Sequence, residues 1–350
     1  MVENTDVGVE VSDLGFLDGV EESLESINIS NPGSFLSKIE LNKDHTTRLF
    51  CWLIEFRVLS PLKSTWFSSI SILVNSYNHY RKTYLGDYDT NPLVLLPESV
   101  SNVIKIDIER SLSWFRDMAF VLQILQDDTQ LVTIHAHRVF ALLSFNVNQF
   151  RYIQGYDRYF MISYLLALYF VTRNGLLIDL AEVFAYPLCL HLIKIGGISN
   201  YLDNPIQTQS HFAQLDELVQ MHSPTTAALL SEFGHSSLHY AVRWELLLFA
   251  DEYDISSIFY LWDKFIFHRN QIEKVLLNMC VAHVLQVPLC QNGEFMVETI
   301  QRYRGFDCVT ATKTAFDLLN GKRNKMVVSK VAFVALVAII VLALFYRILM

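Results

Sequence analysis

The sequence predicts an all-α protein that ends in one hydrophobic helix. Three observations support this fold class: apolar residues between about 41 and 319 repeat with helical spacing, Gly and Pro are scarce in that region, and a long apolar run follows it. Because 52% of all residues are hydrophobic, the chain as a whole is not expected to be disordered. With 350 residues, it is long enough to bury one large core or two ordinary ones.

The clearest helical pattern lies between Asp254 and His268. Asp254 is a suitable N-cap, because its side chain can accept a hydrogen bond from an amide of the first helical turn. The next apolar residues occupy the i, i+3, i+4, i+7 and i+8 positions of a half-buried helix, namely Ile258, Leu261, Trp262, Phe265 and Ile266. Residues 160–171 are apolar on nearly every side but too few to cross a bilayer, so they predict a central buried helix.

Composition divides the chain into segments. Residues 1–34 contain many acidic residues and no Lys or Arg, which predicts a flexible acidic leader. Glycine and polar residues near 196–207 predict a joint between two helical lobes, at about 35–195 and 208–319. The full prediction is an acidic leader at 1–34, a helical domain at 35–319, a basic linker at 320–330 and a membrane helix at 331–347.

The last apolar run predicts a membrane anchor. Residues 331–346 carry no charge, and as a helix they would be about 24 Å long at 1.5 Å per residue. Adding 326–329 gives about 30 Å, which matches a bilayer core if the Lys330 ammonium reaches the headgroups. The shorter run suits a thin bilayer such as the endoplasmic reticulum. Several Lys and Arg residues precede the run and only Arg347 follows it, so we expect the large N-terminal part in the cytosol.

Several function classes are excluded by composition and by missing motifs. A net charge of −9 argues against a nucleic-acid partner, because such proteins need a basic face. The five cysteines have neither CxxC spacing nor a nearby pattern of histidines typical of a zinc site, and His135 and His137 fall on different faces of one predicted helix. No phosphate-binding glycine loop, GxSxG or HExxH motif occurs. We therefore expect no metal site, no cofactor and no self-contained enzyme.

Three short motifs stand out against this background. They are IKIDIERS at 104–111, YIQGY at 152–156, and RWELLLF at 243–249, which continues to LWD at 261–263. In this order and spacing they resemble the TBC domain, the helical unit of Rab GTPase-activating proteins, whose motifs are IxxDxxR[TS], YxQG and RW-LLLLF followed by LWD. The resemblance covers roughly 40–310 and implies a two-lobed, all-α TBC-type fold. The terminal anchor also resembles that of tail-anchored TBC proteins of the endoplasmic reticulum and Golgi.

The resemblance implies a role for each motif residue. Arg110 would be an arginine finger that stabilises charge developing on GTP during hydrolysis, an effect of about 10³–10⁵ in rate. Gln154 would supply, in trans, the amide that orients the attacking water. Asp107 would orient the guanidinium, and Tyr152 and Gly155 would shape the loop that presents Gln154. GTP and Mg²⁺ would belong to the GTPase, so no cofactor of this chain is implied.

Each of these residues also has an ordinary structural interpretation. Arg110 and Asp107 can form an exposed i, i+3 helix pair of little energetic consequence. Gln154 can be a loop residue or the amide at a helix start, and Gly155 can be a turn residue. The occurrence of three motifs in order favours the functional interpretation.

Three residues depart from the family pattern. Ser111 stands where Thr is commoner, Tyr156 where Met is commoner, and Arg158 where the family usually has Asp. Asp157 lies one residue before that last position. We therefore expect either a one-residue shift in the geometry near Gln154 or a weaker activity.

The sequence thus predicts an activator of a Rab-family GTPase in its GTP form, on endoplasmic reticulum or Golgi membranes in early secretory traffic. Its partners would be the GTPase and, through the terminal helix, the lipid bilayer. The alternative is a catalytically inactive TBC-fold scaffold or tether that binds a Rab without stimulating hydrolysis. A third class, a membrane-anchored lipid-modifying enzyme, lacks a recognisable nucleophile or metal set.

Overall fold

The computed structural model describes residues 15, 17–38, 41, 43–124, 128–196, 202, 204–290 and 293–322. Within these ranges the chain is helical and contains no β-strand, which confirms the predicted all-α class. The α-helices are α1 (Val20–Glu25), α2 (Pro32–Leu36), α3 (His45–Glu55), α4 (Trp66–Tyr80), α5 (Glu98–Val121), α6 (Thr129–Asn146), α7 (Tyr156–Arg173), α8 (Asp179–Gly196), α9 (Pro205–His222), α10 (Pro224–Glu232), α11 (Leu238–Leu246), α12 (Ile255–Phe267), α13 (Ile272–Gln286), α14 (Met296–Arg302) and α15 (Cys308–Leu319). Shorter turns are a π-helical turn at Arg81–Leu85 and 3₁₀ turns at Lys63–Thr65, Gly86–Tyr88, Pro92–Leu95, Arg269–Gln271 and Gly293–Phe295.

The chain packs as two units. Among the described residues, the first unit consists of those up to Gly196 together with Asp254–Arg269, and the second of those from 202 to Tyr253 together with those from Asn270 to Lys322. This division differs from the predicted lobes, because α12 belongs to the first unit and interrupts the predicted C-terminal lobe at 208–319.

A buried ion pair joins α12 to α3 within the first unit. Arg48 Nε of α3 lies 3.1 Å from Asp263 Oδ1 of α12, and both side chains are almost completely buried. Trp52 Nε1 of α3 donates a hydrogen bond of 2.7 Å to the same carboxylate. Arg48 and Asp263 are 215 residues apart in the chain, so the local pattern of α12 could not indicate this pairing.

The core of the first unit is built around α7. This helix packs against α8, α5 and α3. All of its residues at 160–171 are buried except Tyr169, which confirms the predicted central helix. The buried rings Phe160 and Tyr164 of α7 stack with centroids 5.3 Å apart. A helix that is apolar on nearly every side is stable here because it has neighbours on several sides.

In the second unit, α13 packs against α9 and α15. The RWELLLF motif contributes packing rather than exposed chemistry: Trp244 is 1% exposed and its ring lies 6.2 Å from that of Phe249. The helix α11 ends at Leu246, and the buried Leu248 and Phe249 follow with φ values of 45° and 61°. The motif therefore forms a buried helix end.

The second half of the predicted acidic leader is folded, so that part of the prediction is wrong. Val20, Leu24 and Ile27 are at most 5% exposed, and α1 packs against α4. The next helix, α2, packs against α3 and α12 and buries Leu36. Apolar residues about one turn apart on α1 create a buried face that outweighs the acidic charges, which remain on the exposed side. Most of the first half of the leader lies outside the described residues.

Among the described residues, no helix is both long and apolar enough to cross a membrane. The predicted anchor at 331–347 lies outside the described residues, as does the linker after Lys322.

Candidate functional site on α5 and the loop before α7

The helix α5 has one buried face, and Arg110 lies outside that face. Its buried face is formed by residues three or four apart, among them Ile104, Asp107, Ile108 and Ser111. Arg110 lies within the same turns but points away from this face and is exposed. The helical period therefore fixes Asp107 and Ser111 inward and the Arg110 guanidinium outward.

The second part of the site is the loop between α6 and α7. Its last residue, Gly155, has a φ of 104° and precedes the first turn of α7. L-residues with a side chain rarely adopt this conformation, which explains the glycine. Tyr152 packs edge-on against Phe140, with ring centroids 4.9 Å apart, whereas Gln154 is exposed. The loop thus has a packed base and presents an amide at its surface.

Asp107 connects this loop to α5. Tyr152 Oη donates a hydrogen bond of 3.1 Å to Asp107 Oδ2, and the backbone N–H of Gly155 donates to the same carboxylate. Burial raises the pKa of Asp107, while these hydrogen bonds and the charges of Arg110 and Arg158 oppose the rise. The hydrogen bonds and charges thus offset part of the cost of burying the carboxylate, which serves as the acceptor for the loop.

This geometry differs from the role predicted for Asp107. The sequence predicted that Asp107 orients the Arg110 guanidinium. Among the described residues, the two side chains form no hydrogen bond or ion pair within 4.0 Å, and Arg110 affects Asp107 only through its charge. The hydrogen bonds of Asp107 go to the loop instead, because its side chain points inward from α5 while that of Arg110 points outward.

Ser111 makes a second connection between α5 and α7. Its hydroxyl donates a short hydrogen bond to Asp157 Oδ2 and accepts one of 2.5 Å from Arg158 Nη1. The Arg158 guanidinium also lies over the Trp114 ring, with Cζ 4.6 Å from the centroid. Burial raises the pKa of Asp157, and the Ser111 hydrogen bond and the Arg158 charge lower it. The sequence did not predict this cluster, although the departures at 111 and 158 were a signal for it.

The structure thus groups the predicted site residues in two ways. Asp107 accepts hydrogen bonds from both Tyr152 and Gly155; Asp107 and Gly155 are buried, and Tyr152 is half-buried. Arg110 and Gln154 are exposed on the two segments that these contacts join. A partner that binds across both segments would meet a permanent cation and a neutral amide, which together can stabilise negative charge and orient a water molecule.

One group of described side chains has the composition of a metal site. His135 Nε2 lies 3.4 Å from Asp179 Oδ1 and 3.2 Å from Glu182 Oε2. Glu182 also accepts hydrogen bonds from Tyr77 Oη at 2.6 Å and from Arg138 Nη1 at 3.2 Å. The group shares no residue with the site around Arg110. Arg138 also pairs with Asp89 at 2.7 Å, so we interpret the group as part of a larger polar network of α4, α6 and α8.

Comparisons with known proteins agree with this architecture. None of the curated proteins matches the chain. The crystal structure of the Ypt/Rab-GAP domain of Gyp1p has the same fold, with a TM-score of 0.60 at 12% sequence identity over 87% of this chain and 97% of that chain. Residues 47–287, well over half of the chain, match the Rab-GTPase-TBC domain family and include all three motifs. The chain therefore belongs to the Rab-GTPase-TBC domain family.

Proposed function

We propose that this protein activates a Rab-family GTPase by supplying Arg110 and Gln154 to its bound GTP. The observation that carries the proposal is the exposure of these two side chains on segments that Asp107 joins, within a Rab-GTPase-TBC domain. Asp107, Tyr152 and Gly155 support the loop and do not contact the nucleotide themselves.

The two exposed groups match the chemical needs of GTP hydrolysis. Negative charge shifts toward the β–γ bridge in the transition state, and an arginine inserted from outside stabilises it by about 4–7 kcal/mol, or 10³–10⁵ in rate. The guanidinium is suited to this because it is always charged and has a planar set of donors. The Gln154 amide would hold the attacking water in line. GTP and Mg²⁺ belong to the GTPase, and this chain needs no cofactor for the reaction.

Single-turnover GTP hydrolysis tests the proposal. The detergent-solubilised full chain is added to a panel of GTP-loaded Rab proteins, and the rate is compared for wild type, Arg110→Ala, Arg110→Lys and Arg116→Ala. Arg116 is the matched control, because it is an exposed arginine on α5 outside the site. We expect both Arg110 variants to lose about 10³-fold or more in stimulated rate and the control to keep it. Full activity in both Arg110 variants would refute the arginine-finger assignment.

The same assay separates the alternative function. A catalytically inactive scaffold would bind a Rab in its GTP form, yet wild type would leave the hydrolysis rate unchanged for every member of the panel. Binding without acceleration would therefore favour the scaffold.

We also propose that residues 331–347 anchor the protein in the endoplasmic reticulum or Golgi membrane, with the TBC domain in the cytosol and a client Rab of early secretory traffic. Support comes from the uncharged run at 331–346 and from the excess of basic residues before it. Deleting all residues after Lys325 should release the protein from membranes while its activity in solution remains. Retention of the truncated protein in an alkali-washed membrane pellet would contradict a single anchor.

A further inference from the structure

Arg158 is one of the three residues at which this chain departs from the family pattern, and it lies where α5 and α7 meet. Its Nη1 atom donates a hydrogen bond of 2.5 Å to Ser111 Oγ and lies 3.7 Å from Asp157 Oδ2. Its guanidinium covers the ring of Trp114, one turn further along α5. A side chain at the start of α7 thus contacts two consecutive turns of the helix that carries Arg110.

The hydrogen bonds around Ser111 run in one direction. A hydroxyl has one donor hydrogen and two acceptor lone pairs. Ser111 uses its hydrogen toward Asp157 and accepts from Arg158, so the order of donation is Arg158 to Ser111 to Asp157. Removal of the guanidinium would leave this buried hydroxyl and carboxylate without their cation.

The charge of Arg158 also acts on both buried carboxylates of the site. Asp107 and Asp157 each have a pKa raised by burial, and the Arg158 charge lowers both values. The two carboxylates also disfavour each other's ionised form, since Asp107 raises the pKa of Asp157. An aspartate at 158 would add a third negative charge at this place, whereas arginine balances the charges present.

We propose that Arg158 is a positioning residue, which fixes the segment carrying Gln154 against the helix carrying Arg110. Asp107 holds the segment before Gly155, and the cluster of Arg158, Ser111 and Trp114 holds the segment after it. Gln154 is thereby fixed from both sides. This role rests on the proposed GTPase activation and acts through Gln154. A lysine at 158 would keep the charge, but it has no planar group to stack on the Trp114 ring and no planar set of N–H donors.

The test uses the full chain in detergent with the substitutions Arg158→Ala and Arg158→Lys, and Arg116→Ala as the control on α5. We expect the maximal stimulated rate to fall about tenfold to a hundredfold in both Arg158 variants, because a displacement of about 1 Å costs up to about 10² in rate. The GTPase concentration at half-maximal rate should stay unchanged, since Rab binding is not altered. Gln154→Ala should then cost less in the Arg158→Ala background than in wild type, because Gln154 is already misplaced.

Hydrogen exchange of residues 150–156, measured without any GTPase, provides a readout that is independent of the proposed function. We expect faster exchange there in both Arg158 variants and no change in α6 or in the control. Unchanged exchange in Arg158→Ala would overturn the positioning role, even where activity is lost. Equally fast exchange over the whole first unit would also overturn it, by showing a general loss of stability. If wild type activates no Rab, the proposed function fails while the exchange result still decides the role of Arg158.

Discussion

The loop before α7 should depend on the Asp107 carboxylate, and the substitution Asp107→Ala tests this dependence. Its carboxylate accepts hydrogen bonds from Tyr152 Oη and from the Gly155 backbone, and it is 5% exposed. Alanine removes both acceptors and leaves the two donors without a partner in the protein interior. Asp107→Asn keeps the shape, and its amide can still bond both groups if the Tyr152 hydroxyl rotates.

The expected loss of free energy in loop attachment follows from the two hydrogen bonds. Each bond to a charged acceptor contributes about 1.5–3 kcal/mol, so alanine removes roughly 3–6 kcal/mol of loop attachment. Part of this is offset because the carboxylate is costly to bury, as its raised pKa indicates. A net loss of about 2–4 kcal/mol corresponds to a decrease of roughly 30-fold to 10³-fold in the ratio of loops with Gln154 in place to loops without it. Asparagine loses only the charge assistance, for which we expect about a tenfold effect.

The assay is maximal GTP hydrolysis at saturating protein, combined with two double-mutant cycles. If Asp107 acts on the loop, Asp107→Ala and Gln154→Ala should be strongly non-additive, whereas Asp107→Ala and Arg110→Ala should be closer to additive. The reverse pattern would refute the reasoning and restore the predicted role of Asp107 in orienting the Arg110 guanidinium. A rate in Asp107→Ala equal to that of wild type, with the same melting temperature, would refute both roles.

Three further predictions concern the amide, the ion pair of α12 and one buried histidine. Gln154→Ala should slow hydrolysis strongly while Rab binding stays nearly unchanged, and the Rab's own glutamine should be dispensable. Single-turnover rates for the four combinations of wild-type and mutant partners check this. A large loss of rate from the Rab mutation alone would contradict it. Asp263→Ala leaves Arg48 buried without its carboxylate and should lower the free energy of unfolding, measured with urea, by about 3–5 kcal/mol. Replacing both Arg48 and Asp263 with apolar residues should restore much of the lost stability. A loss as large in the double variant as in Asp263→Ala would contradict this reasoning. Burial lowers the pKa of His283 from 6.5 to about 3, so the folded state binds fewer protons than the unfolded state below pH 6.5. Stability should therefore fall as the pH drops, and between pH 8 and 5 wild type should lose about 2 kcal/mol more than His283→Gln; equal losses in the two proteins would contradict this.

Sequence patterns predicted the residues of the candidate site but not all of their contacts. The order of the three motifs indicated Arg110 and Gln154, and both side chains are exposed in the fold. The partners of Asp107 could not be predicted, because Tyr152 lies 45 residues away and the direction of a side chain depends on which helix face is buried. The neighbouring departure at Arg158 became interpretable only through its contacts with Ser111 and Trp114.

The sequence alone determined the helical class, the central helix at 160–171 and the start of α12, where the Asp254 side chain accepts from the Ser257 amide as predicted. These features are local, since a helix is encoded by the spacing of apolar residues and by the residue at its cap. Only the tertiary structure decided that the second half of the leader is folded and that α12 packs with α3. Both outcomes depend on burying apolar and charged groups against partners that are distant in the chain, and the free energy of such burial does not appear in any local pattern.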